Sequence, residues 1–199
     1  FAIGTTAVTV TATDNSGNVS TCSFNVVVAD AIGPTISCTT APATAEATSA
    51  SGAAVSYSAS SATDAVDSDV AISYSAASGS TFAIGTTTVT VTATDDTGNV
   101  STCTFDVVVE DSTAPGLTCP TAPATAEATS SSGAVVTYGT ASASDDVDSD
   151  ITISYSPASG STFAIGTTQV TVTATDDYSN QTTCAFNVVV SDTASPAIT

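Results

Sequence analysis

The hexapeptide Phe-Ala-Ile-Gly-Thr-Thr begins at Phe1 and returns at Phe82 and Phe163, a spacing of 81 residues with no insertion or deletion between copies. Cys22, Cys103 and Cys184 keep this register, as do Cys38 and Cys119, Pro34, Pro115 and Pro196, Glu46 and Glu127, and Tyr57 and Tyr138. A period this long exceeds a solenoid turn and matches a small domain, so the chain is expected to fold as tandem modules, each with its own core. The register predicts the C-terminal part of one module in residues 1–30, complete modules at 31–111 and 112–192, and the start of another at 193–199. Because residue 1 is not Met and falls inside a repeat, the chain reads as a window on a longer string, which reports neither a leader nor an anchor.

Inside each period the hydrophobic pattern is that of strands. Thr88-Val89-Thr90-Val91-Thr92-Ala93-Thr94 alternates apolar and hydroxyl residues, the period-2 signature of a half-buried strand. In Val100–Glu110, Cys103, Phe105, Val107 and Val109 fall on one face, and Thr102, Thr104, Asp106 and Glu110 on the other. Asp95-Asp96-Thr97-Gly98-Asn99 joins the two as a hairpin turn, with Gly98 free to take a positive φ. Ser179 replaces that Gly in the last copy, which should cost turn stability without moving the register. Shorter strands are expected at Thr35–Cys38, at Ala53–Ser58 with Val55 and Tyr57 inward, and at Val70–Tyr74 with Val70, Ile72 and Tyr74 inward. Six or seven short strands per module, separated by Gly, Ser, Pro and Asp and with no helical periodicity, read as an all-β antiparallel β-sandwich.

The chain has no Lys, Arg or His against 19 Asp and Glu, a net charge of −19 in 199 residues. No side-chain ion pair can form, so every carboxylate must face water, a hydrogen-bond donor or a metal ion. Nucleic acid is excluded as a partner, since displacing counterions from phosphates needs Lys or Arg. Anionic membranes are disfavoured on the same ground, and no apolar run approaches the ~20 residues that span a bilayer. A hydrophobic content of 42% with clear alternation argues against disorder.

The order Pro34-x-Ile36-x-Cys38, then Gly79-Ser80-Thr81-Phe82-x-Ile84-Gly85-Thr86-Thr87-x-Val89-x-Val91-x-Ala93-x-Asp95, then Gly98-Asn99 and Cys103-x-Phe105-x-Val107-x-Val109, resembles the hyalin repeat. The likeness extends over both complete modules and both fragments. It implies immunoglobulin-like sandwiches of the kind used as interaction or spacer modules in extracellular adhesion and matrix proteins. Thr39 follows the first cysteine of one module where Pro120 follows it in the next.

Each complete module then carries one Cys on its first strand and one on its last, giving the pairs Cys38–Cys103 and Cys119–Cys184, with the partner of Cys22 outside the fragment. Such a bridge closes a loop of about 65 residues and contributes up to ~4 kcal/mol in the loop-entropy model. The rival pairing, Cys22–Cys38 and Cys103–Cys119, would tie neighbouring modules together instead. Two thiolates per module without His cannot complete a tetrahedral metal site. Paired cysteines place the chain outside the cell or at its surface.

Three sequons keep the register, at Asn18, Asn99 and Asn180, each just after the hairpin turn. They are candidates for N-linked glycan, though Gly-Asn is also a turn preference. Thr48-Ser49-Ala50-Ser51 and Thr129-Ser130-Ser131-Ser132 are candidates for O-linked sugar. The acidic loops Asp64-Ala65-Val66-Asp67-Ser68-Asp69 and Asp145-Asp146-Val147-Asp148-Ser149-Asp150, with Asp95-Asp96 and Asp176-Asp177, are the other candidate sites. A sandwich should bring two of these loops to the end where the preceding linker enters, directing Glu110 and Asp111 toward Asp145, Asp148 and Asp176. Converging carboxylates suit Ca²⁺, so Asp111, Asp145, Asp148, Asp150 and Asp176 are the expected ligands. The alternative is that these Asp residues populate solvated turns.

No His or Lys is present to activate a Ser or Thr nucleophile, and the repeated Asp loops lack the Trp or Arg of a glycosidase cleft, so no catalytic residue and no enzyme activity are expected. A sugar-binding platform would need exposed aromatic rings, and chiefly Tyr178 is expected outward. The linker between Val109 and Leu117 is short and contains Pro115, so the modules should pivot little. The sequence therefore predicts a non-catalytic extracellular structural protein, a tandem-repeat rod or filament that is glycosylated and assembles with copies of itself. It needs no cofactor beyond an optional Ca²⁺ and covalent glycans. The alternative is a calcium-dependent adhesin stalk that presents a distal ligand-binding domain.

Overall fold

The computed structural model describes residues 1–42, 44–123 and 125–196. Its elements are strands throughout. In order they are β1 (Gly4–Thr13), β2 (Val19–Val28), β3 (Thr35–Ser37), β4 (Ala45–Glu46), β5 (Ala53–Ala54), β6 (Ser61–Thr63), β7 (Ala71–Tyr74), β8 (Thr81–Phe82), β9 (Gly85–Thr94), β10 (Val100–Glu110), β11 (Gly116–Thr118), β12 (Ala126–Glu127), β13 (Ala134–Val135), β14 (Ser142–Ser144), β15 (Thr152–Ser156), β16 (Thr162–Phe163), β17 (Gly166–Thr175) and β18 (Gln181–Ser191). The elements from β3 onward recur one period later, as β11 onward. Among the described residues no helix is long and apolar enough to cross a membrane.

The chain forms two compact units: residues 1–41, 56–78 and 88–106 make the first, and 42–55, 79–87 and 107–199 the second. The first holds the β1–β2 hairpin, paired from Gly4↔Val28 to Thr13↔Val19, together with β3 on β6 and β7 on the end of β9. Its aromatic centre is Tyr57, whose ring lies 5.5 Å from Tyr74 and 4.9 Å edge-on to Phe105. The disulfide Cys38–Cys103 closes it.

The second unit contains an entire repeat, which shows the architecture most fully. β12, β18, β17 and β15 form a four-stranded sheet, and β11–β14 and β13–β16 supply the opposing layer. Between them lie Ala134, Val136 and Phe163 on one side and Val170, Val172, Phe186, Val188 and Val190 on the other. Val170, Val172, Val188 and Val190 of β17 and β18 are at most 1% exposed. Each contributes about 1.5–3 kcal/mol by leaving water, so the Thr-Val alternation of the long hairpin is what holds the layers together. Cys119–Cys184 bridges the layers. This is the immunoglobulin-like sandwich expected from the sequence, and both disulfides follow the within-module pairing rather than the rival one. Cys22 has no partner among the described residues.

One pairing departs from the expected antiparallel plan. Ala126–Glu127 runs parallel to the end of β18, through Ala126↔Val190 and Glu127↔Ser191, as Ala45–Glu46 does on Val109↔Ala45 and Glu110↔Glu46. The first stretch of each module therefore contributes twice: β3 or β11 joins one layer, and β4 or β12 then crosses to the edge of the other. The expected strand Ala53–Ser58 is shorter than the alternation implies, with ladder pairing at Ala53–Ala54 alone. Beyond it, Val55 exchanges backbone bonds with Ser80 and Gly79, and the Tyr57 amide donates to Ser78 Oγ at 2.9 Å. The hairpin turn behaves as the sequence indicates. Gly98 has φ 90°, and Ser179 takes the same place at φ 73°. The β17–β18 pairing keeps the register of β1–β2, running from Gly166↔Val190 to Thr175↔Gln181.

Candidate functional site

The hairpin turn that ends β9 is built around Asp95, whose side chain is 5% exposed. Its Oδ1 accepts from the Asn99 amide at 2.7 Å and from Thr97 Oγ1 at 3.0 Å, and its Oδ2 accepts from Asn99 Nδ2 at 2.7 Å. Burial opposes ionisation of Asp95, but the Asn99 side chain, the Asn99 amide, Thr97 and the Gly98 amide together outweigh it and hold the carboxyl below its usual range. The Asn side chain of the sequon is thus a structural part of the turn.

Two further carboxylates converge there. Asp64 closes its own loop, with Oδ1 accepting from the Val66 and Asp67 amides at 2.8 and 3.1 Å. That loop presents Asp67, whose Oδ2 accepts from the Asp96 amide at 2.8 Å. Asp30 arrives from the stretch after β2, with Oδ1 bonded to the Ile32 amide at 3.1 Å, and Asn99 Nδ2 reaches the carbonyls of Asp30 and Ile32 at 3.4 and 3.5 Å. Oxygens of Asp30, Asp67 and Asp95 all lie within 4.8 Å of one another. Asp30 Oδ2 is buried and has no hydrogen-bond partner.

The second unit repeats the turn and loop hydrogen bonds one period on. Asp176, 5% exposed, accepts from the Asn180 amide at 2.7 Å and from Asn180 Nδ2 at 2.9 Å. Asp145 Oδ1 accepts from the Val147 and Asp148 amides at 2.8 and 3.1 Å, and Asp148 Oδ2 accepts from the Asp177 amide. Asp111 is 7% exposed; its Oδ1 accepts from the Thr113 amide at 3.1 Å, while Oδ2 is buried without a partner. Burial pushes the Asp111 carboxyl above its usual range, and the negative charges of Asp145, Asp176 and Glu46 add to that against the Thr113 bond. Of the five residues expected from the sequence, Asp111, Asp145 and Asp176 are therefore electrostatic neighbours. Asp148 joins their loop through the Asp177 amide. Asp150 is exposed, and its amide donates to Asp148 Oδ1 at 2.9 Å.

Sequence reasoning placed Asp67 and Asp95 in candidate acidic loops without naming them as ligands and missed Asp30, although the three carboxylates close within 4.8 Å of one another. The signal was available, because each lies one period before Asp111, Asp148 and Asp176. Glu46 was also noted only as a register mark. It accepts from the Ser112 amide at 2.9 Å, Ser112 Oγ at 2.6 Å and Thr113 Oγ1 at 2.7 Å. The Ser112 and Thr113 hydroxyls and the Ser112 amide bring its carboxyl down to about 2. Glu127 holds Thr193 and Ala194 in the same manner.

The three sequon amides are engaged within the fold. Asn18 Nδ2 donates to Asp14 Oδ2 at 2.7 Å, and Asn99 and Asn180 carry the bonds given above, Asn180 Nδ2 also donating to the Asp111 carbonyl at 3.1 Å. Of the aromatic rings, Tyr57, Tyr74, Tyr138 and Tyr155 pack inward as expected, with Tyr138 and Tyr155 5.7 Å apart, and Tyr178 is 46% exposed.

The HYR domain model matches residues 1–28, 29–109 and 110–190. Hyalin of Lytechinus variegatus is 36% identical over 98% of this chain, and Hyalin of Strongylocentrotus purpuratus 33% identical over 100% of it. The chain spans 38% and 17% of those two relatives. Extracellular cadherin domains 3–6 of protocadherin gamma B2 superpose over 94% of the chain and 57% of that structure, with a TM-score of 0.40 and 18% identity.

Proposed function

The chain belongs to the HYR domain family, and from that premise we propose that it is a segment of a non-catalytic, extracellular, adhesion-related structural protein whose modules repeat into a rod or filament. The observation that carries this reading is the head-to-tail run of three family matches without a gap, each keeping the same cysteine, turn and acidic positions. A protein that needs one binding face would gain nothing from such fidelity, whereas one that needs length or many equal contacts gains from every copy. Two disulfides per 199 residues support an oxidising, extracellular setting. The proposal gives no residue a catalytic role.

Its partners in this reading are further copies of the same module. A glycan coat is better carried by exposed hydroxyls, such as those of Ser131 and Ser132, than by Asn99 and Asn180, whose amide nitrogens are already bonded. The test is small-angle scattering and electron microscopy on chains of increasing repeat number, with intact mass before and after deglycosylation. Length growing in proportion to repeat number supports the rod, and a compact particle whose size does not follow repeat number overturns it. A second reading, a calcium-dependent adhesin stalk, is favoured by the paired acidic clusters.

A further inference from the structure

In its sheet β7 is the last strand, paired with β9 alone. It runs Ala71-Ile72-Ser73-Tyr74, four residues without a charge or a proline. The pairing with β9 extends from Ala71↔Thr94 to Tyr74↔Val91, and just beyond it the Ser75 amide donates to the Thr90 carbonyl at 2.9 Å. Antiparallel pairs alternate, so Ser73 and Ala71 share the phase of Ser75 and bond toward β9, while Ile72 and Tyr74 turn their N–H and C=O groups to the open side. An open edge is a template for another strand, which natural sheets guard with Lys, Pro or a bulge. The chain has no Lys to place there. A cleft of about 240 Å³ adjoins the same strand, lined by Tyr57, Ala59, Tyr74, Ala77 and Ser78. Its two rings are fixed by their hydroxyls: Tyr57 donates to the Ala76 carbonyl, and Tyr74 accepts from the Ser60 amide at 2.7 Å. Main-chain groups in a row beside an apolar pocket are the means by which a sheet recruits an added strand.

We propose that the open edge of β7 pairs with the same edge of a second copy of the chain, antiparallel about a two-fold axis at Ser73. In that register Ile72 of each copy lies opposite Tyr74 of the other and exchanges N–H···O=C bonds with it, and the Ile72 side chain comes to the sheet face on which Tyr74 borders the cleft. Charge selects both the occupant and the direction. Each copy carries −19, so two copies repel wherever their carboxylates meet, and β7 holds none. Asp67 and Asp69 precede the strand, and Ser75 to Ser80 follow it without a charge. Antiparallel pairing sets the acidic end of each strand against the neutral end of the other, whereas parallel pairing would set Asp69 beside Asp69. A cationic partner would be drawn to the acidic loops, which leaves the neutral edge to an uncharged strand of the kind this chain itself supplies. The counterpart β15 is also last in its sheet, but Pro157 follows it where β7 is followed by Ala76. In the same register Val70 would meet Ala76, while Ile151 would meet Pro157, which has no N–H to donate. The pairing goes beyond the rod or filament reading and holds whether or not the modules extend in line.

The test is sedimentation equilibrium of the full chain carrying Cys22→Ser, which prevents covalent pairing, at about 0.15 M and about 0.5 M salt. The expected result is a monomer–dimer equilibrium with Kd on the order of 10⁻⁴ M, as suits a contact at the small end of specific interfaces, that tightens with salt as repulsion between the acidic copies is screened. Hydrogen exchange on a peptide containing Ile72 and Tyr74 should slow at least about threefold between about 10 μM and about 1 mM chain, while the β15 peptide does not change. Ser73→Asp, at an exposed position on the axis where the pair brings side chains closest, sets two carboxylates face to face and should weaken the dimer at least about tenfold. Ser154→Asp, its equivalent on β15, should leave the dimer as it is. Ala76→Pro gives the first module the proline that the second already carries, and repeats the test should Ser73→Asp fail to fold by circular dichroism. A monomer at every concentration up to about 1 mM, a dimer whose slowed amides lie outside residues 70–76, or equal losses from Ser73→Asp and Ser154→Asp would each overturn the proposal.

Discussion

Gly133 tests whether the close approach of the two short strands β13 and β16 is a requirement of the fold. A methyl group placed on it would lie 1.8 Å from the Phe163 carbonyl oxygen and 2.8 Å from its carbon, with φ at +107°. The oxygen would have to retreat by roughly 1.2 Å to escape overlap in a close-packed interior. That motion opens the Ala134↔Phe163 pair and unseats a ring that is only 2% exposed. Left-handed strain for a non-Gly residue costs about 1–2 kcal/mol. Losing even half of the 3–5 kcal/mol typical of removing a buried Phe adds about 2 kcal/mol, so Gly133→Ala should cost at least ~3 kcal/mol. Gly160→Ala in the same module is the control, since φ is +84° but nothing lies within 4 Å of the new methyl, leaving the strain alone. Hydrogen exchange read on peptides of β17 and β18 reports the result directly: at ~3 kcal/mol, protection falls by at least ~100-fold, against about tenfold for Gly160→Ala. Equal effects of the two substitutions, or a loss below ~1 kcal/mol at Gly133, would refute the steric reasoning.

Other perturbations separate the remaining terms. Replacing Cys119 and Cys184 together by Ala opens a 65-residue loop and should remove about 4 kcal/mol, read as a lowered urea midpoint for the module. Ser179→Gly relieves a positive φ of 73° and should raise stability by up to ~1 kcal/mol, visible as slower exchange at Asn180 and Gln181. Glu46 has a folded pKa lowered from 4.5 to about 2, so its contribution is present above about 4.5 and fades as pH falls toward 2. Thermal melts between those limits should show a steeper acid loss for the parent chain than for Glu46→Gln.

The long hairpin was legible because its residues carry the whole message locally. Val89 and Val91 alternate with Thr, and Val107 and Val109 keep the same period-2 face on the partner strand, where burial decides which face they take. The Gly98 turn was legible for the same local reason, and Ser179 shows that the register survives its replacement. The parallel edge at Ala45–Glu46 and Ala126–Glu127 was not, since two residues carry no period. They become strands only because the end of the last strand lies beside them. The acidic loops were legible as a place, from the spacing of Asp145, Asp148 and Asp176. Their membership was not, because Asp150 sits two residues after Asp148 yet is exposed, and loop backbone rather than sequence distance decides which carboxylate enters the cluster.

Asn99 links the turn, the acidic cluster and the sequon in a single side chain. Its Nδ2 has two hydrogens and four acceptors in range, Asp95 Oδ2 at 2.7 Å, Thr97 Oγ1 at 2.8 Å and the carbonyls of Asp30 and Ile32 at 3.4 and 3.5 Å. The short bond to Asp95 fixes one wall of the cluster, while the two long ones hold the main chain that delivers Asp30. A glycan on this nitrogen would take one of its hydrogens and place a sugar where Asp30 enters. Glycosylation at Asn99 and an assembled acidic cluster are therefore alternatives, and the same competition holds at Asn180, whose Nδ2 joins Asp176 to the Asp111 carbonyl. Peptide mapping of native material that finds sugar at Asn99 together with cation binding at Asp30 would break this exclusion, because both need the same few ångströms of space.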